Sequence, residues 1–86
     1  MNITFYQVDV MFDPYGGPND IPKKEILGKF SKKKDAEKLI NEWIEQKNKY
    51  FKNGRKKEDR LFKGRSIYWE GYDNDPFIRK ISLKID

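Results

Sequence analysis

The chain has 86 residues, no cysteine, no histidine and a formal net charge of +5. A single domain spanning 1–86 is expected at this length, and it must build an efficient core, for which six Phe, five Tyr and two Trp are at hand. The missing Cys and His remove disulfides, thiolate nucleophiles, the usual zinc ligands and histidine general bases, so no metal and no cofactor is expected. No apolar run approaches the ~20 residues that cross a bilayer. The start, MNITFYQVDV, lacks the basic region of a signal peptide. The expectation is a cytoplasmic protein with no membrane partner.

Residues 3–12 read as a strand, with Tyr6, Val8, Val10 and Phe12 on one face and Gln7 and Asp9 on a face at least partly in water. DPYGGPNDIP is a loop by its Pro, Gly, Asn and Asp content. EILGKF (25–30) reads as a second strand with Ile26 and Phe30 on one face, and Gly28 marks a bulge or a close neighbour. Ser31 is placed to cap a helix from Lys32. Ala36, Leu39, Ile40, Trp43, Ile44, Tyr50 and Phe51 form its apolar stripe, with Lys47 near the middle of the arc and Asn53-Gly54 as the stop. Lys47 either snorkels along the apolar surface or marks where the helix leaves the core. Residues 55–65 read as a loop, with at most a helical turn near 58–62. SIYWEGY (66–72) reads as a third strand, joined by an Asp73-Asn74-Asp75-Pro76 turn to a fourth, FIRKISLKI (77–85). In that last strand Ile81, Leu83 and Ile85 are expected inward, with Lys80, Ser82 and Lys84 outward. The fold expected is α+β: a four-stranded antiparallel sheet in β-β-α-β-β order with one helix packed on one face, the last two strands forming a hairpin.

Charge is concentrated in one place. Residues 47–65 hold nine Lys/Arg against Glu58 and Asp59, a net +7; the rest of the chain, with ten basic and twelve acidic residues, sums to −2. A basic segment on a near-neutral scaffold points to an acidic partner. Tyr50 and Phe51 fit the helix stripe and are assigned to the core. The candidate binding residues are then Lys49, Lys52, Arg55, Lys56, Lys57, Arg60, Lys63 and Arg65. Tyr68, Trp69 and Tyr72 make an aromatic hairpin, in which one of the pairs Ile67/Trp69 and Tyr68/Tyr72 is core and the other is free to anchor a protein partner or to pair across a wet sheet face. Lys32, Lys33 and Lys34 at the helix start read as a solvated run, and 73–75 as a turn, since the Gly and Glu of a calcium loop are missing.

A single Ala against nine Ile and fifteen Lys is the bias of an AT-rich genome, such as that of a low-GC bacterium or its phages. Gly28-Lys29-Phe30-Ser31-Lys32-Lys33-Lys34-Asp35-Ala36-Glu37, followed by Leu39 and Ile40, resembles a strand-turn-helix junction of small uncharacterised phage and prophage proteins. It also resembles, locally, the arm-type DNA-binding domains of tyrosine integrases. Those end with the helix, and their groove-reading sheet is basic where this chain has Asp9 and Asp13, so no DNA-contact residue carries over. The resemblance implies a small phage-type accessory protein acting in the host cytoplasm. With no spacing that supports catalysis, a non-enzymatic role is expected: binding and inhibiting a host protein, or a protein–nucleic-acid complex, of a defence or nucleic-acid-processing system. The alternative is direct binding of DNA or RNA through 47–65. Either outer strand is also open to pairing with a copy of itself, giving a homodimer.

Overall fold

The computed structural model describes residues 1–85. Strands β1 (Asn2–Phe12), β2 (Lys23–Phe30) and β5 (Phe77–Lys84) form an antiparallel sheet in the order β2-β1-β5. Helix α1 (Lys33–Lys52) covers part of one face. Two-residue strands β3 (Leu61–Phe62) and β4 (Arg65–Ser66) make a separate hairpin. Single 3₁₀ turns occupy Lys57–Arg60 and Trp69–Gly71.

The α+β class and the single helix stand, but the sheet has three strands, not four. The segment 66–72 is not a strand beyond Ser66. Its physical reason is periodic: Trp69 and Tyr72 are both buried, and side chains three apart point the same way in a 3₁₀ turn but opposite ways in a strand. The last strand therefore does not pair with 66–72. It pairs with β1, Val8 opposite Ile78 and Phe5 opposite Ile81.

That register also inverts the expected phase of β5. Ile78 packs with Val8 under the helix, while Ile81 and Leu83 lie with Phe5 and Ile3 on the far face. The helix does not reach this end of the sheet, so alternation there says nothing about where the helix lies. In β2, a register shift opposite Val8/Asp9 puts Phe30 beside Tyr6 but Ile26 beside Asp9, on opposite faces. The extra residue, Leu27, packs against both halves of the core. Gly28 is the close-approach position as well, since a Cβ there would lie 2.9 Å from the Phe30 ring and 3.3 Å from Leu39.

The core lies between helix and sheet. Trp43 is its hub, with ring centroids 5.3 Å from Phe62, 4.8 Å from Trp69 and 5.0 Å from Tyr72. Val8, Ala36 and Leu39 continue it toward Phe30 and Ile78. Lys47 snorkels: its ammonium donates to the Tyr72 carbonyl, so the helix stays on the core to Tyr50. The helix cap is Lys32, in extended conformation and with no side-chain cap bond; Ser31 sits one residue too early. Gln7 and Asp9, expected on a face at least partly in water, are themselves buried on the far face, where Asp9 accepts from Gln7 Nε2 (2.7 Å) and faces Arg79 (3.4 Å) and Lys24 (3.9 Å).

Candidate interaction surface

The loop after α1 is held in a defined shape. Asn53 closes the helix with its N–H on the Lys49 carbonyl (3.0 Å), and Arg55 N–H returns to the Tyr50 carbonyl (2.8 Å). This reversal needs left-handed backbone at Gly54 (φ 84°) and at Arg55 (φ 60°); Gly takes it freely and Arg at a cost. Asp59 then anchors the following turn from inside. Its carbonyl accepts from Gln46 Nε2 (2.9 Å) and Trp69 Nε1 (3.2 Å), and its buried carboxylate accepts from Asn53 Nδ2 (3.4 Å) and lies 4.0 Å from Lys49 Nζ.

Three of the eight candidate cations are engaged internally. Lys49 faces Asp59, Lys63 meets Glu42 at 2.8 Å, and Arg60 lies 3.4 Å from Glu70. Lys52, Arg55, Lys56, Lys57 and Arg65 are exposed and, among the described residues, have no ion-pair partner. The aromatic candidates divide. Trp69 and Tyr72 belong to the core and are not available as anchors; Tyr68 is 48 % exposed. Conversely Phe51, assigned to the core by its place in the helix stripe, is 37 % exposed, because it falls at the last turn, past the edge of the sheet.

These residues build a ladder that the sequence does not display. The Arg55 guanidinium lies 5.3 Å from the Phe51 ring, and Phe51 meets Tyr50 edge-on at 5.1 Å. Arg60 lies 5.2 Å from Tyr50 and 5.8 Å from Tyr68. The series thus runs from Arg55 to Tyr68 with Arg55 on Phe51, Phe51 against Tyr50, and Arg60 between Tyr50 and Tyr68, and Phe51 and Tyr68 are open to solvent at either side of buried Tyr50. Tyr50 Oη donates to Glu70 Oε2 (2.5 Å) and accepts from Arg60 Nη2 (2.9 Å). The Tyr50 hydrogen bond holds the Glu70 carboxyl below its ordinary range, with Arg60 and Arg55 adding and burial opposing. The same bond, with burial, pushes the Tyr50 hydroxyl up. Burial, then the hydrogen bond it donates to Glu25, raises Tyr72 strongly.

The only sequence signal for the β3–β4 hairpin beneath this surface was Lys63-Gly64, both in left-handed backbone (φ 49° and 80°) at a two-residue turn. Among the described residues, no group of three or more Asp or Glu is placed to hold a metal ion, and no helix is long and apolar enough to cross a membrane. In comparisons with known proteins, no family model matches the chain, and no curated protein or solved structure matches it significantly.

Proposed function

We propose that this is a non-enzymatic accessory protein of the phage or prophage type. It binds an acidic surface of a host protein, or of a host protein–nucleic-acid complex, and inhibits it; the target class is a defence or nucleic-acid-processing system. The observation that carries the reading is the Arg55–Phe51–Tyr50–Arg60–Tyr68 ladder flanked by unpaired Lys52, Lys56, Lys57 and Arg65. Arg and Tyr are the side chains that dominate protein hot spots. The surrounding acids, Glu42, Asp59 and Glu70, are consumed within the fold. The surface is therefore predominantly basic, with Glu58 as its exposed acid, and held in shape before binding, which lowers the ordering cost of association.

The test is quantitative capture from nuclease-treated host lysate, with the wild type against a K52E/R55E/K56E/K57E/R65E variant. A stoichiometric protein partner retained by the wild type and lost by the variant is expected. Equal retention by both, or no partner at all, overturns the reading.

Direct nucleic-acid binding is the second reading, favoured by Phe51, a half-exposed ring under a guanidinium inside the basic surface. Five phosphate contacts to duplex DNA would weaken binding by roughly a few hundred-fold between about 50 and about 200 mM salt. Fluorescence anisotropy with labelled DNA and RNA at the two concentrations tests it. Absence of binding at the lower salt removes it.

A further inference from the structure

We infer that the outer edge of β5 is a docking site for an extended strand of a partner protein whose side chains alternate acidic and apolar. β2 and β5 are the outer strands of the sheet. The edge of β2 is blunted by the bulge opposite Val8/Asp9. β5 pairs with β1 over eight residues with no register shift and contains no proline. Met1 and Ile85 exchange both backbone hydrogen bonds, at 3.0 and 2.7 Å. Bonding alternates along an antiparallel ladder. The N–H and C=O groups of Phe77, Arg79, Ile81 and Leu83 therefore face β1, and those of Ile78, Lys80, Ser82 and Lys84 face outward. Among the described residues, no other backbone group hydrogen-bonds these outward groups. A regular row of this kind is a template for one more strand.

Charge selects the occupant. Lys80, Ser82 and Lys84 lie exposed on one side of β5, and neither lysine has an ion-pair partner among the described residues. The other side carries exposed Phe77, Leu83 and Ile85; its cations are Arg79, held by Asp9, and Lys29, 5.8 Å over the Phe5 ring. Edge lysines repel a basic strand and become cross-strand partners of an acidic one. A second copy brings the same lysines. Two β5 strands paired antiparallel about Ser82 set Lys80 of each opposite Lys84 of the other, and pairing about Ile81 sets the two Lys80 side chains diagonal to one another. An acidic strand meets no such repulsion. Because Lys80 and Lys84 are four residues apart, the strand that fits has carboxylates at i and i+4 and a small polar residue between them opposite Ser82. Its residues i+1 and i+3 are apolar and continue the row of Ile81 and Leu83. This edge is separate from the Arg55–Tyr68 ladder, and the inference does not rest on it. The helix packs Ala36 and Leu39 with Val8 but Tyr50 with Val10, so its C-terminal end lies toward Phe12, whereas β5 runs from Asp9 away to Asn2.

The probe is the capped peptide Thr-Val-Glu-Val-Thr-Val-Glu-Val-Thr, which reads the same in both directions, titrated to millimolar concentration and followed by amide resonances and hydrogen exchange. A counterpart carries Lys in place of both Glu. In the free protein the amides of Ile78, Lys80, Ser82 and Lys84 should exchange rapidly. With the Glu peptide they should shift and become protected, while those of Phe51, Arg55 and Tyr68 keep their positions; the Lys peptide should leave all of them unchanged. The double variant Lys80→Glu/Lys84→Glu should bind the Glu peptide about tenfold more weakly and accept the Lys peptide instead. Ser82→Pro, which removes an outward N–H that the fold does not use, should take neither peptide at unchanged far-ultraviolet circular dichroism. The comparison of the two peptides on the wild type needs no variant to fold. The inference is overturned if the Glu peptide shifts no amide of β5, if both peptides bind the wild type alike, or if the charge-reversed variant keeps the wild-type preference. Protection of the four amides without peptide also overturns it, and protection that grows with protein concentration would show the edge paired with a second copy.

Discussion

Arg55 stands where a residue's backbone and its side chain pull in different directions. Its left-handed φ of 60° is imposed by the return of its N–H to Tyr50, while its guanidinium completes the exposed ladder over Phe51. Arg55→Gly should therefore raise stability by about 1 kcal/mol in urea unfolding while weakening binding to the partner. Loss of stability would show that the cation over Phe51 matters more than the backbone. Glu70 gives a pH dependence of known sign. Its folded-state pKa is held down, chiefly by Tyr50, so its contribution is present above the ordinary carboxylate range and lost as pH falls through the folded value. Urea midpoints measured from neutral to acid pH should fall, and Glu70→Gln should flatten part of that fall. An unchanged slope in the variant would remove Glu70 as its source.

At the scale of elements, the segment between β4 and β5 is the one whose role differs most from its sequence reading. It supplies Trp69 and Tyr72 to the core and ties back to β1 through Asp13 N–H to the Gly71 carbonyl (2.8 Å). Trp69→Ala should cost about 3–5 kcal/mol. A chain of this length holds only about 4–13 kcal/mol in all, so dispersed amide resonances should collapse or broaden. A fully folded variant would return Trp69 to the surface. Gly71 has a narrower role: a Cβ there would lie 2.3 Å from the Phe12 ring, which is itself packed 4.9 Å from Tyr72. Gly71→Ala should cost about 1–3 kcal/mol through overpacking, read as a lower denaturation midpoint with the same m-value.

The whole molecule is flat, 51 × 31 × 17 Å, and the unpaired cations Lys52, Arg55, Lys56, Lys57 and Arg65 cluster beyond the C-terminal end of the helix. At low ionic strength their mutual repulsion opposes the compact state, and it fades as the Debye length falls from about 30 to about 8 Å. Thermal midpoints should rise when salt increases from about 10 to about 150 mM, and less so in K56Q/K57Q. A falling midpoint would mean that the internal ion pairs, Lys63–Glu42 and Arg60–Glu70 among them, outweigh the repulsion.

Local chemistry was enough, from sequence, for β1 and its inward row, for β2, for a helix closed by Asn53-Gly54, and for a basic loop on a near-neutral scaffold. Each rests on neighbours in the chain: a period of two, a period of 3.6, a left-handed stop, a run of like charge. The partner of β5, the face its isoleucines occupy, the burial of Trp69 and Asp9, and the exposure of Phe51 were settled only by tertiary structure. Asp9 is buried on the opposite face among Gln7, Arg79 and Lys24, whereas the face of the isoleucines and the exposure of Phe51 depend on how far the helix reaches over the sheet. Where it stops, the same alternation that makes a core at Val8 and Val10 makes an open apolar face at Ile3 and Leu83, because a strand's period records that its two sides differ and not which side is covered.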